Sequence, residues 1–205
     1  MEARTRNGIF ATLVLAVVGL GGVALAWLAR SRRSLVQLPQ RGRVALIGDS
    51  LAVGLASPLH KLTASDGGAL LPLGRISTTI TMWAHGDFST VAAFAPDVIL
   101  VSLGTNDAAL ARPQDEQRQL EILLASLTRL GVPIVWIDPP ELPTLPRSAT
   151  VRWMLDDAQR VHPFERFRSD TLMIPRQGDQ VHPTPAGYGL WAATLWAHLH
   201  GGSHA

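Results

Sequence analysis

Ser50 stands where an apolar, β-branched segment, Val44–Ile47, gives way to a helical pattern that begins at Leu51. In an open α/β sheet, a side chain at such a strand-to-helix turn lies beyond the carboxyl end of the strand, next to the free N–H groups of the helix. A serine there is placed like a nucleophile, although a serine or aspartate before a helix is more often a simple N-cap. The function of Ser50 therefore depends on what the rest of the chain brings to it.

A general base for this serine is available near the C-terminus, in the segment Asp179-Gln-Val-His182. With two residues between them, one turn can bring the Asp179 carboxylate onto Nδ1 of His182 and leave Nε2 for Ser50. A second histidine before a proline, His162, competes for this role. It is disfavoured because it falls at a predicted helix end before the last strand, whereas His182 follows that strand.

Donors for a developing oxyanion follow another apolar segment, Val98–Leu103, which is predicted to be the third strand. Asn106 lies just past its end, where the carboxamide N–H can reach the same point as the backbone N–H of Ser50. Asp107 is predicted to brace this loop through hydrogen bonds to the backbone. Three clusters at strand ends therefore predict one site.

These clusters, Gly-Asp-Ser-Leu, Gly-Thr-Asn-Asp and Asp-x-x-His-Pro, resemble in type and order the motifs of the SGNH, or GDSL, hydrolase family. The resemblance covers residues 43–199. It implies a flavodoxin-like three-layer fold and ester or thioester hydrolysis through an acyl-serine, without a metal or other cofactor. It places the nucleophile on Ser50, the oxyanion asparagine on Asn106, and the acid–base pair on Asp179 and His182.

The family's remaining oxyanion donor is the backbone N–H of a glycine shortly before a threonine, and this position aligns best on Ser77. A backbone donor survives the change from glycine to serine if the local φ stays negative, so the Ser77 N–H is predicted to serve. Gly74, the only glycine in the segment Leu73–Ile80, is the alternative donor.

An apolar segment at the N-terminus, residues 8–29, carries no charge and is flanked by arginines. As a helix it would be about 33 Å long, enough to cross a membrane. We predict a single-pass anchor over residues 1–30 and a tether over 31–42, with a cleaved signal peptide as the alternative because Ala24-Leu25-Ala26 has a small-x-small form. The arginines after the segment favour a cytoplasmic domain, but family members with such a segment are usually exported, so we favour the periplasmic or other extracytoplasmic side.

Residues 43–200 are predicted to form one α/β domain, a three-layer α/β/α structure on a five-stranded parallel sheet, with a tail at 201–205. Besides the two strands before Ser50 and Asn106, the pattern predicts strands at Ala69–Leu73, Val132–Ile137 and Asp170–Ile174, and helices at Pro113–Leu130, Ser148–Val161 and Tyr188–Leu199. Histidines 198, 200 and 204 show no fixed ligand spacing and are predicted to belong to a frayed end rather than to a metal site.

Composition excludes several other classes of protein. The chain has 205 residues and no cysteine, which removes disulfides, thiolate catalysis and cysteine metal sites. Its formal net charge is only +2, and its arginines are scattered rather than arranged in a stripe. We therefore predict no nucleic-acid partner.

The sequence thus predicts a membrane-anchored serine esterase that cleaves short acyl or acetyl esters, with envelope glycans or lipids as candidate substrates. Two alternatives stay open: an O-acyltransferase for envelope polysaccharide, and a catalytically inactive module that binds glycans or lipids. The proline-rich loop 138–146 is expected to overhang the site, where Glu141, Leu142 and Leu145 either shape the acyl or leaving-group pocket or belong to a rigid connector. The sequence predicts no oligomeric state.

Overall fold

The structure is a computed structural model that describes residues 36–201. These residues contain a five-stranded sheet in the order β2-β1-β3-β4-β5, with every neighbouring pair parallel. The strands are β1 (Arg43–Gly48), β2 (Ala69–Gly74), β3 (Val98–Ser102), β4 (Ile134–Ile137) and β5 (Glu165–Phe167). The helices are α1 (Ser50–Ser65), α2 (Ile80–Ala84), α3 (Ser89–Phe94), α4 (Thr105–Ala108), α5 (Gln117–Thr128), α6 (Ser148–Ala158) and α7 (Pro185–Leu199).

Helices cover both faces of the sheet, because successive strand side chains enter two different apolar clusters. In β1, Val44 and Leu46 share a buried cluster with α1 and α7, whereas Ala45 and Ile47 share the other with α5 and α6. The same alternation runs through β3 and β4, which are buried along their whole length. Strands buried on both faces are typical of a parallel sheet between two helical layers. The predicted three-layer α/β/α domain is confirmed.

The order of the strands places a crevice beside β1. The chain passes from β1 to β2 on one side and then returns to β3 on the other, so the connections after β1 and β3 leave in opposite directions. Ligand sites of open α/β sheets lie outside the carboxyl ends of the strands at such a switch point. Ser50 follows β1 and Asn106 follows β3, so both lie at the edge of this crevice.

The prediction of the fifth strand was wrong. The strand is Glu165–Phe167, and the segment predicted in its place contains a 3-10 turn at Ser169–Thr171 followed by irregular chain. The apolar run after that turn suggested a buried strand, but Met173 is 94% exposed. The true strand contains Arg166, which is buried because Asp138, directly after β4, binds its guanidinium. A charged strand of three residues gives no alternating apolar pattern.

The helices follow the predicted pattern with changed bounds, and α7 begins at Pro185, three residues before its predicted start. The amphipathic segment that begins at Pro113 is a 3-10 turn, Pro113–Glu116, followed by α5, and α6 ends three residues before the predicted end. The prediction that His198 belongs to a frayed end was wrong. His198 lies in the last turn of α7, only 9% of its side chain is exposed, and its Nε2 is 2.6 Å from Oε1 of Glu165.

The predicted anchor at residues 1–30, the first part of the tether at 31–35 and the end of the tail at 202–205 lie outside the described residues. Within residues 36–201, no helix has the length and apolar character needed to span a bilayer.

Candidate active site

The nucleophile position is built by the turn between β1 and α1. Gly48 has φ +151, and a Cβ there would lie 2.0 Å from the carbonyl oxygen of Ser102 on β3, so only glycine fits. The next residue, Asp49, is the N-cap of α1 and accepts a hydrogen bond from the Leu51 N–H at 2.9 Å. Because Asp49 caps the helix, the Ser50 hydroxyl is free to face the crevice.

Ser50, His182 and Asp179 form a continuous chain of hydrogen bonds. Ser50 Oγ lies 2.9 Å from His182 Nε2, and His182 Nδ1 lies 2.6 Å from Asp179 Oδ2. The other carboxylate oxygen of Asp179 accepts the backbone N–H groups of Val181 and His182, both at 2.9 Å. These hydrogen bonds, first that of His182, lower the pKa of Asp179 to about 2. The carboxylate is therefore ionised at neutral pH and holds the imidazole in one orientation.

A short hairpin-like segment carries the histidine and the aspartate. Its two sides are joined by an antiparallel bridge between Arg176 and Pro183 and by the hydrogen bond from the Gln177 N–H to the His182 carbonyl, at 2.8 Å. The Arg176 guanidinium also spans two loops, donating to the Val181 carbonyl at 2.8 Å and to the Glu141 carbonyl at 2.7 Å. The base is thus held by backbone contacts on both sides of its loop.

Asn106 reaches the crevice from the opposite side, on the short helix α4 that begins directly after β3. Its Nδ2 donates to the Thr78 carbonyl at 2.8 Å. A carboxamide nitrogen carries two hydrogens, so one remains for an oxyanion. Asp107 accepts the Ile80 N–H at 3.1 Å, and the prediction that it braces the loop is confirmed.

The prediction that the Ser77 N–H serves as an oxyanion donor assumed a negative φ at this residue. The φ of Ser77 is instead +62. This left-handed conformation costs a residue with a Cβ roughly 1–2 kcal/mol, which gives a physical reason for glycine at this position. The loop is held nevertheless, since Thr78 Oγ1 donates to the Arg75 carbonyl at 2.8 Å and accepts the Trp83 Nε1–H at 2.9 Å. The role of the Ser77 N–H as an oxyanion donor stays a prediction.

The alternative donor, Gly74, has a clear packing role. It is the last residue of β2, and a Cβ there would lie 2.8 Å from the backbone nitrogen of Val53 in the first turn of α1. Glycine therefore allows β2 to approach the helix that begins with the nucleophile.

Two buried carboxyl groups lie beneath the crevice and no guanidinium or ammonium group is paired with either in the described part of the chain. Asp49 and Asp107 are both fully buried, and Oδ2 of Asp49 has no hydrogen-bond partner among the described residues. Burial raises the pKa of Asp49 to about 7 and that of Asp107 to about 6. A carboxyl group next to the nucleophile thus titrates near neutral pH.

The structure joins Ser50, His182 and Asp179 by hydrogen bonds and places Asn106 after the neighbouring strand, and their catalytic roles stay predictions. The sequence analysis missed two residues that hold them. Thr78 anchors the loop next to Asn106, and its only signal was its place after the aligned Ser77. Arg176 supports the histidine loop through backbone carbonyls, which no sequence pattern shows. His162, the rejected base, lies four residues after the end of α6 and three residues before β5 begins, and is therefore at the far edge of the sheet.

A serine, histidine and aspartate linked by hydrogen bonds at the switch point of a three-layer sheet define the class of serine hydrolases with an α/β/α fold. The chain belongs to the GDSL-like lipase/acylhydrolase family, whose model matches residues 46–190. This match confirms the family that the sequence motifs indicate. No curated protein sequence is detectably similar to the chain.

Solved structures share this fold at low sequence identity. A lipase/acylhydrolase from Enterococcus faecalis is 19% identical, with a TM-score of 0.66 over 78% of this chain and 95% of that one. An acetylxylan esterase from Geobacillus stearothermophilus is 15% identical, with a TM-score of 0.59 over 80% and 96%. A GDSL-like lipase from Bacteroides thetaiotaomicron is 15% identical, with a TM-score of 0.58 over 79% and 91%.

Proposed function

We propose that the protein is a serine esterase that hydrolyses carboxylic esters with short acyl groups through an acyl-serine intermediate. The observation that carries this proposal is the pair of hydrogen bonds from Ser50 Oγ to His182 Nε2 and from His182 Nδ1 to Asp179 Oδ2, at 2.9 and 2.6 Å. An inactive binding module has no need for this alignment, so the geometry favours an enzyme.

In the first half of the reaction, Ser50 Oγ attacks the ester carbonyl while His182 Nε2 takes the hydroxyl proton. The carbonyl oxygen gains the negative charge. The backbone N–H of Ser50, at the N-terminus of α1, and the second amide hydrogen of Asn106 would stabilise it, with the Ser77 N–H as a further donor. His182 then protonates the leaving alcohol oxygen, and the C–O bond of the ester breaks.

In the second half, water replaces the alcohol. His182 takes a proton from the water, the hydroxide adds to the acyl carbon, and the bond to Ser50 Oγ breaks as the proton returns to the serine. Asp179 keeps the imidazole in the tautomer with hydrogen on Nδ1 and stabilises the imidazolium formed in both halves. The net reaction consumes one water and releases a carboxylic acid and an alcohol.

A small acyl group is supported by the openness of the site and by the printed activity of one fold relative. The His182 side chain is 36% exposed and that of Asp179 is 48% exposed, so no deep channel for a long chain encloses the acid–base pair. The Geobacillus enzyme of this fold is an acetylxylan esterase, which makes acetylated glycans a reasonable first substrate class.

We further propose that residues 1–30 anchor the enzyme in a membrane, with the domain on the extracytoplasmic side. The support is the uncharged length of residues 8–29 and the arginines that flank it. Release of the full-length protein from membranes by an alkaline carbonate wash would contradict the anchor.

The test of the enzymatic proposal is Ser50→Ala in the full-length chain. We expect hydrolysis of p-nitrophenyl acetate to fall by at least about 10³-fold and labelling by a serine-directed fluorophosphonate to disappear, because the nucleophile is removed. Ser65→Ala, an exposed serine at the end of the same helix, is the matched control and should change neither. Equal labelling of the wild type and Ser50→Ala would refute the assignment of the nucleophile.

A further inference from the structure

A pocket of about 580 Å³ lies beside the loop that carries the catalytic histidine. One wall comes from the loop after β4, with Glu141 and Pro143, and another from the irregular chain after β5, with Met173. Gln180, between Asp179 and His182 in the chain, also lines the pocket. Its volume falls within the range of small-molecule sites, which is about 300–1,000 Å³.

The pocket is tied to the acid–base loop by one side chain. The Arg176 guanidinium lines the pocket and donates both to the Val181 carbonyl, directly before His182, and to the Glu141 carbonyl. In the proposed reaction His182 hands its proton to the oxygen of the departing alcohol. Gln180 lines this pocket two residues before His182, so an alcohol bound there would lie beside the loop that carries the proton donor.

The walls carry charges of both signs. Both oxygens of Asp170 bind the Arg168 guanidinium, at 3.0 and 2.9 Å, whereas Arg176 donates two of its N–H groups to backbone carbonyls and keeps its positive charge and its other N–H groups. Glu141 is different, since 66% of its side chain is exposed and its contact with Arg152 is long, at 3.5 Å. The Glu141 carboxylate, the remaining N–H groups of Arg176 and the exposed Gln180 carboxamide, whose Nε2 also donates to the Gln177 carbonyl at 3.3 Å, are thus the polar groups left for a ligand.

These groups favour one kind of alcohol. An anionic group would meet the negative charge of Glu141 and a cationic group the positive charge of Arg176, and a long hydrocarbon chain would cover both without giving either a hydrogen bond. Hydroxyl groups can donate to Glu141 and exchange hydrogen bonds with Gln180. The prolines and the exposed Met173 offer an apolar surface for the C–H face of a ring.

We propose that this pocket binds the leaving alcohol of the ester and selects a neutral polyhydroxylated alcohol such as a sugar, with Glu141 as the main hydrogen-bond acceptor. This inference rests on the proposed esterase function and adds the alcohol specificity to it. Glu141 is a specificity-determining residue in this account rather than part of the proton transfer.

The test compares two acetate esters that differ only in their alcohol, acetylated xylobiose and p-nitrophenyl acetate, with the full-length protein. We expect Glu141→Gln to lower the ratio of kcat/KM for the disaccharide ester to kcat/KM for the phenyl ester by about fivefold, because a neutral amide oxygen accepts a hydrogen bond more weakly than a carboxylate does. Met173→Ala should lower the same ratio through lost contact with the ring. Glu121→Gln, the same change at an exposed carboxylate of α5, is the matched control and should leave the ratio unchanged.

The outcomes distinguish failure of the alcohol pocket from failure of the proposed esterase function. A wild type that neither hydrolyses an ester nor reacts with a fluorophosphonate overturns the esterase proposal itself. A labelled wild type that cleaves p-nitrophenyl acetate, but shows the same ratio in both pocket variants or no turnover of acetylated xylobiose, overturns only the alcohol pocket. A change in the preference for butyrate over acetate, without a change in the ratio, would also overturn it because the pocket would then hold the acyl chain.

Discussion

Asp49 and Asp138 occupy equivalent places on two strands and have opposite surroundings. Each aspartate directly follows a strand, β1 or β4, and each is fully buried. The Asp138 carboxylate is bound by both Nε and Nη2 of Arg166, at 2.9 and 2.6 Å, with Arg168 at 3.3 Å. The Asp49 carboxylate has only backbone N–H groups for partners, that of Leu51 at 2.9 Å and that of Thr105, and no guanidinium or ammonium group among the described residues.

The difference separates a structural carboxylate from one that belongs to the active-site region. Burial raises the pKa of both groups, and two guanidinium groups oppose that rise only at Asp138. The side of the sheet that does chemistry thus keeps a buried carboxyl free of cations, while the β4–β5 side uses ion pairs to hold its loops.

The largest effect on stability should come from removing the guanidinium that is paired with Asp138. Arg166→Met leaves the Asp138 charge buried with only the more distant Arg168, and we expect the free energy of unfolding to fall by about 3 kcal/mol. For a domain of this size that corresponds to a loss of roughly 6–12 °C in Tm. Thermal unfolding of the full-length variants would measure it.

Arg160→Met is the surface control for this prediction. Arg160 is 77% exposed and 3.6 Å from Asp157. Its replacement should therefore lower the free energy of unfolding by less than about 1 kcal/mol. Equal destabilisation by the two changes would show that the buried network contributes no more than a surface pair.

Asp49, which has no cationic partner, should instead make the stability of the protein depend on pH. Because the pKa of Asp49 is raised to about 7 from 3.8, the folded protein binds this proton more tightly than the unfolded chain. Its contribution to stability is therefore complete below about pH 4 and is lost as the pH rises to about 7. Asp49→Asn keeps an oxygen that can cap α1 and removes the titration. We expect the stability of this variant relative to the wild type to increase between pH 4 and pH 7.

Urea unfolding of both proteins at several pH values from 4 to 8.5 would test this prediction. Asp179, whose pKa is lowered to about 2, changes stability in the opposite direction and only below about pH 4, so it does not mask the effect. Parallel stability curves for the wild type and Asp49→Asn would contradict the raised pKa.

The smallest effect concerns the strained loop on the Asp49 side of the sheet. Ser77→Gly removes the cost of a Cβ at φ +62 but adds flexibility to the unfolded chain, so we expect a net stabilisation of about 0.5–1 kcal/mol. The backbone N–H is kept, and esterase activity should be kept with it. A rise of about 1–4 °C in Tm would be the measurement.

Ser77→Ala distinguishes strain from loss of the hydroxyl, because alanine keeps the Cβ. It should give no stabilisation. A similar rise in Tm for both variants would mean that the backbone conformation of Ser77 is not strained.

The same two regions differ in how well the sequence predicts them. β1 and β3 are continuous apolar strands that end in short polar motifs, so both the strands and Ser50 and Asn106 are visible in the pattern. β5 is a three-residue strand whose central Arg166 is buried only because Asp138 lies opposite it. The apolar residues after β5 have the sequence pattern of a buried strand, but Met173 among them is exposed.

By itself, the sequence predicted the candidate nucleophile Ser50, the candidate acid–base pair and Asn106, because each is marked by local chemistry: a strand-to-helix turn or two polar groups one turn apart. Only the tertiary structure decided the position of β5, the left-handed backbone at Ser77 and the bridge that Arg176 makes between two loops. These features depend on partners far along the chain, as Arg166 depends on Asp138. Such contacts follow from packing and charge in the folded state, and neither leaves a periodic pattern in the residues.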